Sequence, residues 1–363
     1  MSHWATTIVL LVNRRIATLL VALGPLLGLG IAGSVATVPY VALGPGPTFN
    51  TIGTVDDNGQ VKQVVAIEGA QTEPVSGNLN MTTVSVRDKL TIFQAFGLWL
   101  SSDHGIVPRA EVYPPDRSRQ DVDKDNAADF AKSENSAEIA ALRYLKYPIT
   151  VVAVGVGEVG DKSPAKGILN EGDQLLSVDG VPVKTAKGVQ EQVSAHKPGT
   201  ELPIEVRRDG KQQNVKVKLG ERPDDKSKGF LGITPEEQDK AEVPFKVHFN
   251  LTDIGGPSAG LMFSLAVVDK LSPGELSGGT FIAGTGTIDD QGKVGPIGGI
   301  TYKMIAARQA GAITFLVPAD NCSEAREHIP AGLRLVKVDT LPGAVSALES
   351  LSTGGPAPTC DAK

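Results

Sequence analysis

Residues 16–38 carry no charge and are mostly apolar, a run of about 23 positions that as a helix would cross a hydrocarbon core of about 30 Å. Arg14 and Arg15 precede the run and the next charge after it is Asp56, so the positive-inside rule puts residues 1–15 in the cytoplasm. The expectation is a single-pass transmembrane anchor over 16–38, with the rest of the chain extracytoplasmic at the cell membrane. A cleaved signal peptide, with Ser34-Val35-Ala36 as a small-x-small site, is the alternative.

Beyond the run, Gly44-Pro45-Gly46-Pro47 reads as a juncture. Residues 61–68 (VKQVVAIE) and 78–86 (NLNMTTVSV) are rich in β-branched side chains and read as strands, and 90–100 as an amphipathic helix. Residues 101–125 are polar, include Pro114-Pro115 and read as a surface excursion. Residues 126–145 place Ala127, Phe130, Ala131, Ala137, Ile139, Ala140, Leu142 and Leu145 at helical spacing, for one or two helices. A strand at 149–156 follows, then Ser163-Pro164-Ala165, Gly172-Asp173 and LLSVDG at 175–180, a helix at 186–195, and strands at 202–207 and 213–219.

That order of features resembles bacterial PDZ domains. The resemblance implies a loop whose backbone N–H groups hold a peptide carboxylate beside a strand that pairs with the peptide. No Gly-apolar-Gly-apolar stretch precedes the first strand. The nearest match, Gly229-Phe230-Leu231-Gly232-Ile233, lies at the far end of the module, as in a circular permutation; a plain linker strand is the other reading.

The net charge of −6 and pI near 5.5 provide no basic stripe for a phosphate backbone, so nucleic acid is excluded as a partner. At 363 residues with 41% hydrophobic content the chain suffices for about two domains with cores. Cys322 and Cys360 are the two cysteines; in an oxidising compartment they would form a disulfide pinning the Pro/Gly-rich tail, and two unpaired thiols are the alternative. His3, His104, His196, His248 and His328 are scattered without metal-ligand spacing, so no metal is expected.

Residues 247–274 (VHFNLTDIGGPSAGLMFSLAVVDKLSPG) read as strand, glycine turn and helix, with Ser258 where the turn becomes the helix. N–H groups at a helix start stabilise an oxyanion; a serine there is equally a plain N-cap. Residues 281–299 (FIAGTGTIDDQGKVGPIGG) read as two strands around a tight turn, followed by a helix carrying Lys303, with Thr301 as its N-cap. A serine hydroxyl needs a neighbouring base, and lysine serves when burial or the positive end of a helix dipole disfavours its ammonium form.

Gly256-Pro257-Ser258-Ala259-Gly260, Thr285-Gly286, Pro296 to Gly299, Lys303 and Pro318 to Asn321 resemble, in order and spacing, the motifs of the Lon proteolytic domain. The resemblance implies Ser258 as nucleophile and Lys303 as base, with Thr285, Gly256 and Pro257 in support. Where the family commonly has an acidic residue, this chain has Thr287. Weaker likenesses at 61–86 and 132–145 imply that the PDZ-like module is inserted within the proteolytic domain, and the whole resembles a family of exported bacterial proteins joining anchor, PDZ and Lon-like parts.

The expected fold is α+β: a Lon-type domain with a PDZ-like module inserted or preceding it, and one transmembrane helix. The expected parts are 41–147 and 240–350 for the Lon-like domain, 148–235 for the PDZ-like module and 351–363 for a tail. The expected activity is that of a serine endopeptidase acting on unfolded or PDZ-recruited proteins. No cofactor is expected: no Gly-x4-Gly-Lys-Ser/Thr occurs, so the reaction is expected to be ATP-independent, and a homo-oligomer is left open. Gly155 to Gly160 matches GxGxxG, but no helix follows directly. Two other functions compete: an esterase with a G-x-S-x-G elbow, using Asp320 and His328, and an inactive PDZ scaffold.

Overall fold

The computed structural model describes residues 21–57, 59–208 and 210–361. Contacts divide the chain into two compact units, Met1–Glu138 with Val247–Lys363, and Ile139–Lys246. The second is therefore an insertion in the sequence of the first, and the upstream boundary falls inside helix Arg119–Tyr144.

The first unit is built on a six-stranded sheet in the order Arg334–Val338, Thr314–Pro318, Phe281–Gly284, Asn78–Arg87, Tyr40–Asn50, Gly105–Pro108. The first four strands run parallel, and Tyr40–Asn50 is antiparallel to both of its neighbours, Asn78–Arg87 and Gly105–Pro108. Helices Ile300–Ala310 and Cys322–Glu327 make the crossovers between the parallel strands. Parallel strands covered on both faces read as continuous apolar runs, and Thr314–Pro318 is buried at every position. The expected α+β class is thus corrected to a mixed α/β fold, because parallel neighbours need a crossover connection, here helical between the last three parallel strands in sequence. Helix Gly260–Leu271 is buried from Gly260 to Lys270, as its nearly unbroken apolar sequence demands.

The expected anchor is corrected as well. Arg14, Arg15 and positions 16–20 lie outside the described residues. Among the described residues the apolar run is helical over 21–35, about 22 Å at 1.5 Å per residue, and no helix is long and apolar enough to cross a membrane. Beyond it the backbone turns extended: Thr37 bridges Thr91 and Val38 N donates to Leu90 O at 2.8 Å. A single-pass membrane location is therefore not supported, and neither is the placement outside a membrane that followed from it.

Residues 101–125 are not a structureless excursion. They contain strand Gly105–Pro108, helix Arg109–Val112 and the start of Arg119–Tyr144. Ser118 Oγ accepts from Asp121 N (3.1 Å) while Asp121 Oδ2 accepts from Ser118 N (3.2 Å), a reciprocal cap that starts the helix a full turn or more before its apolar spacing begins.

The second unit has a main sheet in the order Lys211–Lys218, Glu201–Arg208, Gln174–Val178, Ile149–Val159, Ile233–Ala241, antiparallel throughout. Helix Ala186–Ser194 is capped by Thr185, whose hydroxyl accepts from Gly188 N, and buries Val189 and Val193. These join Val154, Leu175, Ile204, Val217 and Leu231 in the core.

Candidate active site and peptide groove

The turn before helix Gly260–Leu271 is held on several sides. Gly256, at φ +84°, takes a conformation open to glycine, and its N–H donates to Asn126 O at 2.8 Å. Ser133 Oγ donates to Pro257 O at 2.9 Å. Ser258 O accepts from Gly286 N and from Thr285 Oγ1, each at 3.0 Å. Asn126, Phe130, Ser133 and Ala137 form one stripe of helix Arg119–Tyr144: Phe130 packs edge-on against Phe263, and Ala137 O accepts from Ser264 Oγ at 3.2 Å.

Ser258 is not the helix cap. That position belongs to Ala259, with no side-chain capping bond, so the Ser258 hydroxyl is available to another partner. Lys303 Nζ lies 3.0 Å from it.

Lys303 sits on helix Ile300–Ala310, whose cap is Gly299 at φ +69°. Thr301, expected as the cap, is inside the helix. Lys303 is 4% exposed, and burial pushes its amine down from the usual lysine range to about 8. Its Nζ also donates to Thr82 O at 2.7 Å, and Thr82 Oγ1 in turn donates to Gly284 O at 3.2 Å. Thr82 was not legible beforehand, because a backbone carbonyl in mid-strand leaves no residue signature.

Asn321 is a second partner whose contact the sequence did not announce. Its Oδ1 accepts from Ile297 N and its Nδ2 donates to Ile297 O, both at 2.9 Å, clamping the loop that leads into the Lys303 helix. Cys322, the next residue, is joined to Cys360 in a disulfide, and Lys337 N donates to Pro358 O at 3.0 Å in the tail between them. Asp320 and His328 make no hydrogen bond to Ser258; His328 is at the end of helix Cys322–Glu327.

A cleft of about 810 Å³ opens on Ser258 and Lys303, walled by Phe49, Met81, Val84, Phe130, Ile254 and Ile297. Gly256, Pro257 and Thr287 also line it. Thr285 is fully buried behind it. Among the described residues no acceptor stands against the N–H groups of Ser258 and Ala259.

In the second unit, a groove of about 440 Å³ runs between helix Ala186–Ser194 and strand Ile233–Ala241, with Gly229, Phe230, Leu231 and Gly232 at one end. Leu231 O accepts from Ala165 N and Ser163 Oγ, and Gly232 O accepts from Gly160 N at 3.1 Å. With both carbonyls engaged in this way, the N–H groups of Leu231 and Gly232 have no acceptor among the described residues. Gly232 holds φ +72°.

Comparison with known proteins matches residues 127–219 to the PDZ domain family and 226–345 to the Lon protease (S16) C-terminal proteolytic domain. The Lon protease of Haemophilus influenzae is 33% identical over 31% of this chain, and that of Vibrio parahaemolyticus 34% identical over 34%. The matched segments span 14% and 16% of the lengths of those relatives. The solved PDZ domain of an SdrC-like protein from Listeria innocua is 27% identical over 24% of this chain and 96% of its own length, with a TM-score of 0.22. These matches support a PDZ plus Lon-like protease family: residues 127–219 are similar to PDZ domains and residues 226–345 to the Lon-type (S16) proteolytic domain.

Proposed function

We propose that this chain is an endopeptidase that cleaves loosely folded or unfolded polypeptides, with Ser258 as nucleophile and Lys303 as its general base. The observation that carries the reading is the 3.0 Å approach of Lys303 Nζ to Ser258 Oγ at a buried lysine. With the amine held near 8, about a quarter of it is neutral at pH 7.5, against about a thousandth at an ordinary lysine value.

Ser258 Oγ attacks the scissile carbonyl carbon as its proton passes to Lys303 Nζ. The carbonyl oxygen becomes an oxyanion facing the free N–H groups of Ser258 and Ala259, donors of the kind that acyl transfer uses. The resulting ammonium returns the proton to the leaving amine as the C–N bond breaks. Water, deprotonated by the same lysine, then releases the acyl group from Ser258. Thr82 O fixes the direction of the amine, and Thr285 and Gly286 fix the carbonyl of Ser258 so that its side chain points at Lys303. No step draws on a nucleotide. The groove closed by Gly229, Phe230, Leu231 and Gly232 is proposed to hold a polypeptide C-terminus, supported by the two free N–H groups there.

The test is cleavage of a reduced, alkylated protein substrate by the full chain. Turnover without ATP, lost in Ser258→Ala and Lys303→Ala and kept in His328→Ala, is the expected result. Turnover surviving Lys303→Ala but not His328→Ala would point to the esterase-type triad instead.

A further inference from the structure

Strand Ile233–Ala241 is the edge of its sheet and forms one wall of the groove. Its third residue is Pro235. The direction of each peptide group along this strand can be read from its neighbours. Gly232 O accepts from Gly160 N. Thr234 O and Glu236 O are the atoms that a Cβ on Gly157 or Gly155 would approach, at 3.3 and 3.9 Å. The even-numbered residues therefore face the inner strand Ile149–Val159, and since peptide groups alternate along a strand, Ile233, Pro235 and Glu237 turn theirs to the open edge.

An incoming peptide that adds a strand to this edge would exchange bonds with those three residues. Ile233 offers both an N–H and a carbonyl. Pro235 offers a carbonyl only, which is why proline is tolerated on an edge and why it ends pairing there. At the next outward position the strand is bridged to the helix: Glu237 Oε1 accepts from Ala186 N, in the first turn of the helix, at 2.8 Å. Between the free N–H groups at Leu231 and Gly232 and this tie, one residue on the edge can pair fully. Val189, Val193, Phe230 and Ile233 give the groove apolar surface beside it, and Gln190 and Arg222 line it as well.

Resting on the reading that the groove takes a chain terminus, we propose that Pro235 confines strand addition to the last residue of that terminus, so that the groove reads little upstream of it. The partner class is then broad: polypeptide C-termini that share a final residue, whatever precedes it.

The experiment is calorimetric titration of the full-length Ser258→Ala chain, in which bound peptides are not cleaved. The ligands are an acetylated tripeptide ending in Ser-Ala-Val and an acetylated hexapeptide with three further residues upstream, each as free acid and as amide. The free acids are expected to bind within about threefold of one another, and amidation to weaken binding by about tenfold or more, as loss of a charge-assisted bond would. Pro235→Thr, which restores the N–H, is expected to favour the hexapeptide by a further threefold to about tenfold, the worth of one backbone hydrogen bond. A hexapeptide more than about tenfold tighter than the tripeptide in the chain with Pro235 intact would overturn the limit while leaving the groove as a peptide site. Amides that bind as well as acids, or binding undiminished in Gln190→Trp, where the indole would fill the groove, would overturn the peptide-site reading itself.

Discussion

The turn at Ser258 and the loop at Gly232 use the same backbone device in two different surroundings. Each presents two adjacent N–H groups that no carbonyl among the described residues answers, and each holds a glycine at positive φ, Gly256 and Gly232. At Ser258 the device stands beside a hydroxyl and a buried amine whose proton affinity burial has lowered. At Gly232 it stands in a groove that carries Val189, Val193 and Ile233 with Gln190 and Arg222, and beside the hydroxyl of Ser163, already donated to Leu231 O. On the proposed reading the first turn meets an oxyanion that exists only during reaction and the second a carboxylate present from the start. On that reading, what separates the two turns is the hydroxyl paired with a buried amine at Ser258, not the backbone.

The largest expected effect separates the two. Ser258→Ala or Lys303→Ala should lower kcat by at least about a thousandfold while leaving carboxylate-dependent peptide binding within about twofold. A matching loss of peptide binding would show that the two turns are not independent. The converse variant is Gly232→Val: a Cβ there would come within 3.0 Å of Ser163 atoms and force a branched residue to positive φ. It should weaken binding of a free C-terminus about tenfold or more, with kcat on a short internal peptide unchanged.

A smaller effect is expected at Asn321. Asn321→Ala frees the Ile297 backbone and should lower kcat about tenfold with KM nearly unchanged, since the loop leads to Lys303 rather than to the substrate. A KM effect alone would assign Ile297 to substrate binding. Removal of the charge should also raise stability. Because the folded amine titrates near 8, below its unfolded value, folding at neutral pH costs about 3 kcal/mol, and that cost fades as pH rises from about 8 toward the unfolded value. Lys303→Met should therefore stabilise the chain at pH 7 by up to about 2 kcal/mol in denaturant melts, a gain that shrinks at pH 10.

The parts of this comparison legible in the sequence were those carried by contiguous residues. The turn around Ser258, the loop before Lys303 and the Gly229–Gly232 stretch announce themselves by glycines and polar residues in tight order. What supports them comes from far along the chain: Thr82 reaches Lys303, and Asn126 and Ser133 reach the 256–257 turn, across separations that no local pattern spans. Asn321 was visible as a letter in a motif but not as a clamp, since an amide pairing with one peptide group looks like any polar residue at a strand end. The charged residues at 109–125 hid helical structure because their caps and ion pairs, such as Arg109 with Asp88 at 2.9 Å, replace an apolar face. The uncharged run near the N-terminus suggested a membrane span by length alone, and the backbone turns extended before the run ends.

The most direct test of the central claim is the pH dependence of Ser258 acylation by a fluorophosphonate, followed by mass spectrometry from pH 6 to 10. With Lys303 as the base, the second-order rate constant should rise about tenfold per pH unit at the low end. It should level above a midpoint near 8, and both the rise and the labelling should vanish in Lys303→Met. A rate that stays flat across that range, or a midpoint that persists without Lys303, would contradict it.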